Sequence, residues 1–164
     1  MSFSAKLIFL CGKMAAGKST LARELTGRDA AVLLVQDEFL QALFPGEITD
    51  VAGYLKYSTR LQDALTPHIG ALLRRGLTVV LDFPANTRTQ RAWFRKLIDQ
   101  SGVAHELHYI CASDALCKHQ LRERSKDLPP GTPWTSEAEF DAITAHFEPP
   151  AEEERFHIVR YDRK

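Results

Sequence analysis

Long hydrophobic runs are missing from this chain of 164 residues. None approaches the roughly 20 apolar residues that a membrane-spanning helix needs. No secretory signal pattern opens it either. Met1-Ser2-Phe3-Ser4-Ala5-Lys6 lacks one, and the first apolar run ends in a glycine loop. A cytoplasmic location is expected. Cysteine is scarce: Cys11, Cys111 and Cys117 are odd in number and widely spread, which argues against a disulfide framework. Cys111, Cys117 and His119 match no common zinc spacing and lack a fourth ligand. An excess of charge of one sign is also lacking. Lysine plus arginine number 21, as do aspartate plus glutamate. Zero net charge argues against broad nucleic-acid binding, which needs a strong positive field. There is no repeat, low-complexity tract or interdomain linker. The length suits one domain with one sizeable core.

What the chain does carry begins with Gly12-Lys13-Met14-Ala15-Ala16-Gly17-Lys18-Ser19-Thr20. This fits G-x-x-x-x-G-K-[ST], the phosphate-binding P-loop. Its context is right. Residues 6–11 form a short apolar segment with polar flanks, which reads as a buried strand. Leu21, Ala22 and Leu25 follow at helical spacing, with Gly27 as the expected stop. Strand, loop and helix N-terminus together make an anion site, because loop N–H groups and the positive end of the helix dipole face the same point. Gly12 and Gly17 allow close backbone approach. Lys18 is expected to reach the β- and γ-phosphates, Ser19 to ligate Mg²⁺, and Thr20 to begin the helix.

Further strands are expected at 30–36, 77–81, 107–111 and 156–160. Helices are expected after Asp37, from Asp50 to Arg74, from about 87 to 100, from about 114 to 125, and from Ser136 to about 147. Val51, Tyr54, Leu55, Ser58, Leu61, Leu65, Ile69 and Leu72 give the long third helix its amphipathic period. Pro67 is expected to kink or split it. Arg74-Arg75-Gly76 closes it, and Ser136 with Glu139 forms a capping-box pattern. Arg88, Arg91 and Arg95 share one side of their helix. Between Pro133 and Glu154 stand seven acids and no lysine or arginine. Trp93 falls beside core positions, whereas Trp134 sits in a proline-rich loop where ligand contacts concentrate. Strands alternating with helices predict an α/β fold with a parallel sheet, its first strand central and ligands at the strands' carboxyl ends.

Two acids follow apolar strands at that edge: Asp37 after the second and Asp82 after the third. A carboxylate opposite the γ-phosphate can orient a substrate hydroxyl and take its proton. Asp37 is the candidate for that base, and Asp82 for holding Mg²⁺ or touching the acceptor. Alternatively Asp37 serves the metal and Glu38 activates water, which would make an ATPase. Either aspartate also suits a helix cap.

These residues resemble a family of small P-loop kinases, grouped with zeta toxins, chloramphenicol phosphotransferase and phage-type polynucleotide kinases. The resemblance rests on Gly12 to Thr20, Asp37-Glu38, Leu81-Asp82 with Asn86-Thr87-Arg88, Cys117 to Arg124, and Phe147-Glu148-Pro149-Pro150. It implies a P-loop NTPase fold with five parallel strands flanked by helices, nucleoside-kinase-like, with a small lid at about 114–134. It implies ATP with Mg²⁺, transfer to a hydroxyl of a small-molecule acceptor, and lid cations, here Arg124 and Arg122, on the transferred phosphate. Polynucleotide kinases of this group carry an arginine just after the base. Glu38-Phe39-Leu40-Gln41 supplies no cation there, which argues against a nucleic-acid acceptor. The alternatives are an ATP-hydrolysing switch acting on a partner protein and a polynucleotide 5′-hydroxyl kinase.

Overall fold

A computed structural model describes residues 4–164. The first three residues, read above for a signal pattern, lie outside it. Five strands, β1 (Lys6–Cys11), β2 (Val32–Val35), β3 (Val79–Asp82), β4 (Ala104–Ala112) and β5 (Ile158–Arg163), form one sheet in the order β2-β3-β1-β4-β5. All neighbours pair in parallel. Strand β1 is central because it is apolar on both faces. Leu7, Phe9 and Cys11 point into one core with α3 (Val51–Arg74) and α4 (Arg88–Ser101). Ile8 and Leu10 point into a second core with α1 (Lys18–Asp29), α5 (Asp114–Ser125) and α6 (Glu137–Thr144). A short α2 (Gln36–Leu43) follows β2 directly. Among the described residues no helix is long and apolar enough to cross a membrane.

Several boundaries differ from expectation. Gly27 does not stop α1, which runs to Asp29 and ends on Ala30 in the left-handed region. Strand β2 is shorter than 30–36, since Gln36 already belongs to α2. Pro67 neither splits nor ends α3. It lies on the solvent side, as does Asp63 one turn before it, while Leu61, Ile69 and Leu73 stay buried. Helix α6 ends at Thr144 rather than near 147. Phe147 instead stacks on Tyr109 at 6.3 Å, and Glu148 N donates to Asn86 O at 2.8 Å. The last strand is displaced to Ile158–Arg163. Phe156 sits outside it, packed edge-on against Phe9 at 5.2 Å under the Arg95 guanidinium.

The three arginines of α4 do not form a free basic stripe. Arg91 is wholly buried and grips Glu154 through Nε at 2.7 Å and Nη2 at 3.1 Å. Arg88 pairs with Glu153 at 2.8 Å, and Arg95 donates to the carbonyls of Glu154 and Arg155. The stripe clamps residues 148–155, part of the acid-rich stretch, onto α4.

Candidate active site

The carboxyl ends of β1, β2 and β3 converge on one edge, and the P-loop closes it. Gly12 N donates to Asn86 Oδ1 at 2.9 Å, which ties the loop to the start of α4. A Cβ on Gly12 would sit 3.1 Å from the Ile110 carbonyl oxygen, so a side chain has little room there. The loop turns through two left-handed residues, Ala15 at φ 63° and Gly17 at φ 106°. Gly17 is the N-cap of α1 and offers no side-chain cap, so the first N–H groups of that helix stay open to an anion. Lys18 Nζ donates to the carbonyls of Gly12 and of Lys13, the latter at 3.0 Å. Burial lowers the pKa of its ammonium, while Cys11 and Asp82 pull it back up. Lys13 Nζ reaches Asp114 at 2.6 Å and links the loop to α5.

Ser19 Oγ donates to Asp82 Oδ2 at 2.8 Å. The hydroxyl and the carboxylate named as metal candidates are therefore adjacent. Asp82 does not cap α4, which is capped by Thr87 with Gln90 in a capping box. Asp37 lies in the first turn of α2 but does not cap it, since the N-cap position is Val35. Its carboxylate makes no hydrogen bond or ion pair among the described residues. Its surface is open to solvent, yet protein surrounds it on most sides of the concave edge. That crowding and the Asp82 charge raise its pKa, against the pull of Lys18 and Arg124. Asp37, Asp82, Lys18 and Arg124 thus share one field.

The two lid arginines part company. Arg124 acts electrostatically on both Lys18 and Asp37. Arg122, expected beside it, instead pairs with Glu137 of α6. Residues two apart on a helix face different sides. Glu38 is also turned away, toward Arg23 of α1 at 4.0 Å. Trp93 packs tilted on Phe83 and edge-on to Phe94 and donates to Thr66 Oγ1 at 3.0 Å, so it is a half-buried residue packed against the core. Trp134 remains 46% exposed in the loop before α6.

Sequence reasoning missed a polar cluster beside Asp37. Gln36 is buried, and its Nε2 donates to Tyr54 Oη at 2.8 Å and Ser58 Oγ at 3.3 Å. Its Oε1 has no partner. Burial and the Asp37 charge push the Tyr54 phenol up to about 12. The i, i+4 spacing of Tyr54 and Ser58 was the only signal, and it read as part of the amphipathic period. Arg163, at the end of β5, was also missed. Its Nη1 donates to Ala16 O of the P-loop at 3.4 Å.

No curated protein matches this chain in sequence. Solved structures match its fold. A candidate kinase from Chloroflexus aurantiacus superposes with a TM-score of 0.73 at 18% identity, covering 97% of this chain and 88% of that one. The structure from the PezAT toxin–antitoxin system of Streptococcus pneumoniae gives 0.69 at 18% identity, covering 98% and 70%. A Mycobacterium tuberculosis APS kinase gives 0.59 at 14% identity, covering 97% and 88%. The architecture is thus a kinase-like P-loop NTPase fold. The family model described as an AAA domain matches residues 7–150. The chain belongs to that AAA domain family.

Proposed function

We propose that the protein is an ATP-dependent kinase that moves the γ-phosphate to a hydroxyl of a small-molecule acceptor. The observation that carries this reading is the unpaired carboxylate of Asp37, set in the fields of Lys18, Asp82 and Arg124. A carboxylate spent on a cap or an ion pair is a poor base, and this one is spent on neither. The solved APS kinase structure holds AMPPNP together with APS, which supports a nucleotide and a small acceptor on this fold.

On this reading the P-loop N–H groups and Lys18 bind the β- and γ-phosphates. Lys18 exchanges the carbonyls of Gly12 and Lys13 for phosphate oxygens. Ser19 and Asp82 are the residues that would hold Mg²⁺, since adjacent hydroxyl and carboxylate oxygens suit a hard cation. The ion would neutralise charge on the phosphates. Asp37 takes the proton of the acceptor hydroxyl as its oxygen bonds to the γ-phosphorus. The bond from that phosphorus to the bridging oxygen breaks, and ADP leaves with the electron pair. Arg124 neutralises charge on the moving phosphoryl group. We assign α5 and the loop to about residue 134 as a lid whose closure excludes water. A cytoplasmic setting suits the free thiols of Cys11, Cys111 and Cys117.

An acceptor screen tests the proposal. The protein is incubated with Mg·ATP and a panel of hydroxylated metabolites, and products are read by mass. One added phosphoryl group with equal ADP supports a kinase. ADP formation that never yields a phosphorylated product across the panel contradicts it and favours a hydrolase.

A further inference from the structure

Arg163 makes a contact that the P-loop motif does not foresee. It ends β5, opposite Ala112 of β4 in parallel register, so it lies on the edge that carries the P-loop. Along β5, Val159, Tyr161 and Arg163 are half-buried on one face, while Ile158, Arg160 and Asp162 are exposed on the other. Tyr161 packs into the core shared with α1. Arg163 follows it, with its guanidinium 6.0 Å from the Tyr161 ring centre. Its Nη1 donates to Ala16 O at 3.4 Å and would lie 2.8 Å from a Cβ on Gly17.

What sets Arg163 apart from the other arginines without a carboxylate partner is its contact with a P-loop peptide. Arg23, Arg88, Arg91, Arg95, Arg122 and Arg160 all pair with carboxylates. The nearest acid in sequence, Asp162, is engaged by Arg160 at 2.9 Å. Among the described residues no carboxylate pairs with Arg163. Its cation is therefore not neutralised, and it rests on one peptide of the P-loop.

That peptide matters. Ala16 C=O and Gly17 N–H belong to the same unit, immediately before Lys18. A cation on the carbonyl draws electron density toward the oxygen and makes the N–H at the other end a stronger donor. Hydrogen bonds in chains strengthen one another in this way. We propose that Arg163 is a positioning residue for phosphate binding. It polarises the Ala16–Gly17 peptide and braces the left-handed turn at Gly17, so that the loop binds polyphosphate more tightly without Arg163 touching the nucleotide. This rests on the P-loop as a nucleotide site.

The test is calorimetric titration of full-length protein with ATP, ADP and adenosine. Arg163→Gln keeps an N–H but loses the charge, and Arg163→Lys keeps the charge. Arg163→Gln should weaken ATP and ADP by about threefold to tenfold, and the deficit should shrink in high salt, because a charge effect is screened. Arg163→Lys should regain most of the affinity. Adenosine, which has no phosphate, should bind the wild type and both variants alike. A thermal melt shows that each variant is folded. Unchanged ATP and ADP affinity in folded Arg163→Gln would overturn the proposal. So would a lysine variant as weak as the glutamine one, or an equal loss for adenosine. If the wild type binds neither ATP nor ADP, the nucleotide reading itself fails, whatever Arg163 does.

Discussion

Removing Glu154 should damage the fold far more than an ordinary loss of a surface ion pair. Its partner Arg91 has no exposed surface, and the Glu154 side chain retains 13%. Two hydrogen bonds join them, and the other Arg91 donors reach Ala85 O at 2.9 Å and Pro149 O at 3.4 Å. In Glu154→Ala the guanidinium keeps those two carbonyls but loses its carboxylate where it stands buried. An uncompensated buried charge of this kind costs about 3–5 kcal/mol. For a chain of this length that lowers Tm by roughly 6–20 °C. Arg91→Met should cost less, since the remaining carboxylate can reach water and the new side chain fills the space. The double variant should cost less than the two singles summed. Acid should mimic part of the effect. Burial alone would raise the Glu154 carboxyl, but bonds from Arg91 and Ala151 N hold it below the ordinary glutamate range. The pair's contribution is thus complete above the unfolded glutamate pKa and lost as pH falls through the folded one. Urea denaturation of the four proteins measures all of this. A Glu154→Ala penalty under about 1 kcal/mol, as for an exposed pair, would refute the view of residues 148–155 as a charge-locked strap.

Two further predictions concern the site. Because crowding and Asp82 raise the Asp37 carboxyl, the acid limb of kcat/KM should lie above that of an ordinary aspartate, with activity gained as pH rises. Asp82→Asn should move that limb downward, while a limb unmoved by it would remove Asp37 from the titration. Arg124→Ala should lower kcat more than it weakens ATP binding, whereas Arg122→Ala, which releases only Glu137, should leave kcat nearly unchanged. Equal kcat losses would show that both arginines serve the phosphates.

Local signals were the legible ones. Gly17, Lys18 and Ser19 stand where the motif puts them because the loop's geometry is set by its own glycines and by the helix that follows. Thr87 and Ser136 cap their helices through residues three positions on. Asp82 ends an apolar run and therefore ends its strand. Contacts that join distant segments were not legible. Strand β5 was expected two residues early, at 156–160, because it is an edge strand with half of its residues exposed, and only its pairing with β4 fixes its bounds and register. The buried role of Arg91 depends on Glu154, 63 positions away. Arg163 is 147 positions from Ala16. Gln36 was read as strand because its neighbours are apolar. Its amide is pulled into α2 by Tyr54 and Ser58, which only the packing of α3 brings within reach.

The central claim is that Asp37 is the base of a phosphoryl transfer, and Asp37→Asn tests it most directly. The change keeps size and removes basicity. ATP affinity is measured by titration, and transfer by the appearance of γ-phosphate on the acceptor that the screen identifies. The account predicts ATP affinity within about twofold of wild type and a loss of transfer of about 10²–10⁴-fold, the usual contribution of a general base. It also predicts that Glu38→Gln keeps most turnover, since Glu38 faces Arg23. An Asp37→Asn protein that no longer binds Mg·ATP, beside a Glu38→Gln protein that binds ATP tightly and cannot hydrolyse it, would contradict the account and make the molecule a hydrolytic switch.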